Sequence, residues 1–146
     1  MNNLFLEDAL ANPILFPLGW KVDRAFLENW IQLHNLKLPT ELIDIWIIGG
    51  GGDFLETETL LIPDHTSNSD EVESIEKTTD FLIQNGFPKG FFIIHKGCVI
   101  SAINQSQQSI FTFSADGYSL ITSYSTINRW YKEEFRDQFG PKYGLK

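Results

Sequence analysis

Apolar positions recur along the chain first at helical spacing and then at strand spacing. Over residues 25–34, Phe26, Leu27, Trp30, Ile31 and Leu33 form a wide apolar stripe opposite Glu28, Asn29 and Gln32, with Asp23 placed to cap the helix. A second helix, over about residues 39–49, has both ends marked. Pro39 suits a first turn, where its missing N–H has no partner, and Gly49 suits the position past the last turn. Leu42, Ile45 and Trp46 share one face of this helix and are expected to be buried. Gly49, Gly50, Gly51 and Gly52 are more glycines than a cap needs, so the backbone is expected to turn sharply and pass close to another element. The competing reading, a phosphate-cradling loop, does not fit. These glycines follow a helix, no Gly-Lys-Ser/Thr succeeds them, and Asp53 and Glu56 would repel an anion.

Phe54 and residues 59–62 read as extended, and residues 63–69 read as a polar connection, the most mobile loop expected. A third helix is expected over residues 70–84. Asn68 and Glu71 have capping-box spacing, Val72, Ile75, Thr79, Leu82 and Ile83 face inward, and Asn85-Gly86 is the stop. From Phe87 the period changes to two. Residues 91–95, 98–104, 109–113 and 118–123 alternate with the turn signals Lys96-Gly97 and Asp116-Gly117, which predicts an antiparallel meander. Ser125 is placed to cap a closing helix with Ile127, Trp130, Tyr131 and Phe135 inward, and the tail over residues 140–144 is expected to be loosely held. Helices, then strands, then a helix predict an α+β fold with a central antiparallel sheet. One domain is expected over residues 1–146, its core at about 25–135 and an extension at each end.

Composition fits one core, since 146 residues with 42% hydrophobic content include twelve Phe and four Trp. Residues 1–18 lack a basic start and a continuous apolar run, and no stretch approaches the roughly 20 apolar residues of a membrane span. Cys98 is the only cysteine, which fits a reducing compartment, so a cytoplasmic location is expected. The net charge of −8 changes the picture more. Asp53, Glu56, Glu58, Asp64, Asp70, Glu71, Glu73, Glu76 and Asp80 fall in one stretch whose only basic residue is Lys77. Such a surface excludes nucleic acid and anionic membrane as direct partners and suits a basic protein, or else serves as a solvated acidic face.

Candidate chemistry is sparse. His34, His65 and His95 show no metal-site spacing, Asp64-His65 is the most metal-like pair, and no metal or cofactor is expected. His95 reads as a surface residue beside a turn, and Cys98 as a core thiol. Asp53, Glu56 and Glu58 leave a glycosidase-like acid and base open on composition. Glu56-Thr57-Glu58, if extended, puts both carboxylates on one face, where they could meet two cations of a partner. Binding is the better reading, with no catalytic residue assigned. Phe54 is the candidate apolar anchor, with a core position as its other role.

Leu38-Pro39 opening a helix that contains Trp46, the glycines at 49–52, the Phe87-Pro88 start of a strand block and the closing helix from Ser125 to Trp130 follow an order that resembles the SMI1/KNR4 family, also called the SUKH superfamily. Lys96-Gly97-Cys98 and Asn104-Gln105 depart from the residues many relatives carry in their central strands, so no pocket residue transfers there. The resemblance implies an α+β fold and a non-enzymatic immunity protein that neutralises a polymorphic toxin, nucleases among the candidates. The alternative it implies is a regulatory or scaffold module acting on host proteins, as in fungal relatives. The residues expected to meet the partner are Asp53, Phe54, Glu56, Glu58, Asp64, Asp70, Glu71 and Glu73. Pro39, Trp46, Gly49, Gly50, Gly51, Gly52 and Trp130 are expected to be structural, and the assembly a monomer or weak homodimer.

Overall fold

Six strands pair antiparallel in chain order: β1 (Gly52–Phe54), β2 (Glu58–Leu60), β3 (Phe92–Lys96), β4 (Val99–Ile103), β5 (Ile110–Ser114) and β6 (Leu120–Tyr124). The computed structural model describes residues 2–64 and 74–145. Each strand returns beside its predecessor because the links are hairpin turns, except for a helical excursion between β2 and β3. β3 and β4 are buried over most of their length, whereas β6 is exposed until Tyr124. The fold is thus α+β in one sheet packed with helices.

Helices α1 (Leu4–Ala11), α2 (Arg24–Leu33) and α3 (Thr40–Asp44) precede the sheet. Asn3 caps α1 by accepting from the Leu6 N–H, and Asp23 caps α2 by accepting from the Phe26 N–H. Leu33, expected inside, is 73% exposed because the buried face of α2 centres on Leu27 and Trp30, and Leu33 lies to one side of it. α3 starts after Pro39 and widens into a π-helical turn over Ile45–Gly49. Leu42, Ile45 and Trp46 are fully buried, and the Trp46 indole N–H donates to the Leu61 carbonyl at 2.9 Å.

Beyond that turn the backbone passes close to two other segments. Gly51 forms an isolated bridge with Trp20, and a Cβ on Gly50 would lie 2.9 Å from the Trp20 carbonyl carbon at a φ of +92°. A Cβ on Gly51 would lie 2.3 Å from Ile62 Cγ2. Close approach explains the number of glycines better than capping does.

α4 (Ile75–Gln84) is capped by Ser74, which accepts from the Lys77 N–H, and ends at Asn85 and Gly86. The expected helix start at residues 70–73 and its capping pair, Asn68 and Glu71, lie outside the described residues. The chain closes with α5 (Ile127–Tyr131), a π-helical turn over Lys132–Arg136, and α6 (Asp137–Tyr143). The cap of α5 is Thr126, one residue after the Ser125 read from sequence. The tail is not loosely held: α6 runs through Pro141, buries Gly140 and lets the Tyr143 hydroxyl donate to Glu56.

Aromatic rings fill the space between helices and sheet. Phe5 meets Phe54 and Tyr131 edge-on at 5.1 Å, and Phe54 meets Phe135 at 5.3 Å. A carboxylate clamp locks α1 onto the closing helices: Asp8 accepts from the Tyr131 hydroxyl at 2.6 Å and from the Arg136 Nε at 2.8 Å. Asn128 adds a tie by accepting from the Leu4 N–H.

Candidate functional site

The strongest polar constellation lies inside the molecule. β2 carries Glu58, its antiparallel neighbour β3 carries His95, β4 carries Ser101, and α5 lays Trp130 over them. All four side chains are fully buried. His95 Nε2 is 2.8 Å from Glu58 Oε1, and His95 Nδ1 is 2.8 Å from Ser101 Oγ. The Trp130 indole N–H donates to the same Oγ at 2.9 Å. Glu58 also accepts from the Thr57 hydroxyl at 2.6 Å and from the Cys98 backbone N–H at 3.2 Å. Phe54, Trp130 and Phe135 surround the imidazole.

The network fixes the proton positions. A neutral imidazole donates from Nε2 to the carboxylate and accepts at Nδ1 from Ser101, whose oxygen in turn accepts from Trp130. Burial holds His95 below its ordinary value, outweighing the pull of Glu58 in the other direction. For Glu58 burial pushes upward, but hydrogen bonds from His95 and Thr57 win and hold the carboxyl below its usual range. The stable state is therefore a carboxylate beside a neutral imidazole.

Both shifts carry one sign. Below about pH 6.5 an unfolded chain protonates at this histidine while the folded chain does not, so stability falls as pH falls through that window. Glu58 adds to the loss below its unfolded value of 4.5. Urea unfolding between pH 7.5 and 5.5 should therefore show stability declining by at most about 1.4 kcal/mol per pH unit from His95. A His95→Gln variant should lose that component, and an imidazole that titrates near pH 6.5 by NMR would exclude it.

Glu58, His95 and Ser101 have the order of an acid, imidazole and hydroxyl relay, but every member is sealed from solvent and Ser101 Oγ is already engaged by Trp130. The chain of bonds joins three strands to the closing helix. Gly97 makes it possible, since a Cβ there would lie 2.1 Å from Glu58 Oε1. On the solvent side of Thr57 and Gly97 lies a shallow groove of about 300 Å³, also lined by Thr59, Lys96, Ile100 and Tyr118.

The residues expected to meet a partner separate into distinct environments. Phe54 is fully buried among Phe5, Phe16 and Phe135, so it cannot anchor a partner without unfolding. Glu58 is fully buried, and it does not share a strand face with Glu56. Leu55 and Glu56 occupy the left-handed turn between β1 and β2, with φ of +50° and +67°, which turns Glu56 outward and Glu58 inward. Asp53 and Glu56 are exposed, with Asp53 accepting from Thr59 and Glu56 from Tyr143. Asp64 is half-buried, and its Oδ1 has no hydrogen-bond partner among the described residues. Asp70, Glu71 and Glu73 lie outside the described residues. Glu76 is not free for a partner: it accepts from the Trp30 indole and from the Asp64 N–H.

His95 and Cys98 exchange the positions expected of them. The histidine is buried, because Phe54, Trp130 and Phe135 pack over its ring, and the cysteine is exposed in the turn before β4. Partial burial and the Glu58 charge push the Cys98 thiol up, away from the reactive thiolate. Among the described residues no group of three metal-ligating side chains converges, and no helix is long and apolar enough to cross a membrane. Comparison with protein-family models, with curated proteins and with solved structures gives no match for this chain.

A second feature escaped the sequence pattern. Leu10, Pro13, Phe16, Leu18, Lys21 and Ile48 line a surface groove of about 200 Å³ between α1 and the π-helical turn. Leu10 is 63% exposed and the neighbouring Ile14 is 91% exposed. The groove adjoins β1, since a Cβ on Gly52 would lie 3.5 Å from the Leu18 Cα.

Proposed function

We propose that this chain is a non-enzymatic, cytoplasmic immunity protein that binds and neutralises a basic toxin domain, the class of function implied by its resemblance to the SUKH superfamily. The observation that carries the reading is the surface charge. A net charge of −8 includes Asp53 and Glu56 exposed around the β1–β2 turn, where long-range attraction to clustered Lys or Arg would speed encounter. The same charge disfavours nucleic acid and anionic membrane as partners. The groove around Leu10 and Ile48, beside β1, offers the apolar anchor that buried Phe54 does not. The sealed Glu58, His95 and Ser101 network supports a scaffold role for its polar groups.

The test is a pull-down from the encoding cells at low and high salt, comparing the parent with an Asp53→Lys, Glu56→Lys double variant. A stoichiometric basic partner that is toxic alone should be recovered at low salt, with affinity for the variant weaker by about tenfold and its melting temperature nearly unchanged. Equal recovery by both proteins would remove this surface from the account. Recovery of host regulatory proteins alone would replace the immunity reading with the scaffold one.

A further inference from the structure

The chain carries one Asn-Gly and one Asp-Gly sequence, Asn85-Gly86 and Asp116-Gly117, and all four residues are exposed. The two pairs share a latent reactivity. The backbone nitrogen of the second residue can attack the side-chain carbonyl carbon of the first and close a five-membered succinimide, and a glycine in second place puts no side chain in the way.

Folding treats the two pairs differently. At the end of α4 the Gly86 N–H donates to the Ile83 carbonyl at 3.1 Å, and Asn85 Nδ2 donates to the Phe81 carbonyl at 2.7 Å. Both reacting groups are held there. In the turn between β5 and β6 the hydrogen bonds bypass the reacting groups. The Ser114 N–H donates to the Ser119 carbonyl at 2.8 Å, the Ser119 N–H donates to Ser114 Oγ at 3.0 Å, and Ser114 Oγ donates to the Asp116 backbone carbonyl at 2.7 Å. Among the described residues no hydrogen bond or ion pair engages the Asp116 carboxyl group or the Gly117 N–H. A Cβ on Gly117 would meet nothing within 4 Å, so the turn is open around the nitrogen.

We infer that Asp116-Gly117 is a site of spontaneous backbone isomerisation that folding leaves open, whereas folding closes Asn85-Gly86 to the same chemistry. The Gly117 nitrogen bonds to Asp116 Cγ, and the amide proton leaves with the carboxyl hydroxyl as one water. Hydrolysis of the ring takes one water back. Breaking the new C–N bond restores aspartate, and breaking the original peptide C–N bond leaves the chain running through Cβ as isoaspartate, with a free α-carboxylate. No oxidant or reductant is involved. The added backbone methylene lengthens the turn that Ser114 and Ser119 close, and the exposed α-carboxylate makes the product a substrate for a carboxyl methyltransferase of the isoaspartate-repair class. The inference is independent of any toxin.

Long incubation of the full chain at about pH 6, folded and unfolded in guanidinium chloride, tests it when peptides are mapped by mass spectrometry at intervals. Isoaspartate should form at Asp116 at rates that agree within about threefold in the two states, while deamidation of Asn85 should be at least about tenfold slower in the folded chain. Methyl transfer from S-adenosylmethionine by an isoaspartate carboxyl methyltransferase should label residue 116 of the aged, folded parent. An Asp116→Glu variant, whose ring would need a sixth member, should lack that label. Isomerisation at Asp116 that folding slows by more than about threefold, or deamidation of Asn85 at one rate in both states, would overturn the proposal.

Discussion

Replacing Glu58 with alanine should destabilise the fold by about 3–5 kcal/mol, although sequence alone places this residue among the solvated acids. The carboxylate is the acceptor for three donors: the His95 Nε2–H, the Cys98 N–H and the Thr57 hydroxyl. Thr57 is exposed and can turn to water. The imidazole cannot, and a buried donor left unpaired costs roughly 1–3 kcal/mol, with a cavity added where the carboxylate was. Glu56→Ala, by contrast, removes one bond at the surface and should cost less than about 1 kcal/mol. Urea denaturation followed by circular dichroism separates the two. A Glu58→Ala midpoint close to that of the parent would mean that the network is not supporting the fold. Glu58→Lys should not fold, since it buries a cation against His95.

Gly97→Ala should be nearly as damaging, by about 2–4 kcal/mol, and its cause can be isolated. Gly97 does not sit in the left-handed region of backbone space, so alanine is compatible with its conformation. The obstacle is the Glu58 carboxylate, which would lie 2.1 Å from the new methyl carbon and is pinned by His95, Thr57 and Cys98. In a Glu58→Ala background the same change should cost under about 1 kcal/mol or become stabilising, because alanine loses less backbone entropy on folding than glycine. A thermodynamic cycle over the four proteins measures the coupling. Additive effects would show that backbone strain, rather than contact with the carboxylate, excludes a side chain at position 97.

How much of this was legible depends on the range of the interaction involved. Pro39, the glycines after Trp46, Asn85-Gly86 and Asp116-Gly117 act within a few residues, so the boundaries they imply lie near the observed ones. The strand alternation after Phe87 gave the meander for the same reason, because each strand's partner is its neighbour in sequence. The fate of Glu58 was not legible. It hangs on two consecutive left-handed residues, Leu55 and Glu56, neither of which is a glycine to announce the turn. An extended reading of residues 56–58 follows from composition, and it puts the wrong carboxylate outside. His95 was missed because its partners come from residues 58, 101 and 130, three separate elements. One signal was available: a histidine within an otherwise apolar strand implies a buried polar neighbour. α1 escaped because its eight residues are apolar on more than one side and its stop precedes two prolines that read as loop.

The clamp between Asp8 and the pair Tyr131 and Arg136 sets an order of events as the chain forms. From β3 to β6 each strand finds its partner a short distance back, so that part of the sheet can assemble by successive hairpins with little loop-closure entropy to overcome. The first helix has no such local partner for its carboxylate. The groups that satisfy Asp8 lie 123 and 128 residues further on, and the Leu4 N–H awaits Asn128 across 124. During synthesis, α1 therefore leaves the ribosome well before the residues that complete its docking. Until residues 127–136 have emerged, Phe5 lacks Tyr131 and Phe54 lacks Phe135, so the interval before α5 docks leaves part of this aromatic cluster open to aggregation or chaperone capture.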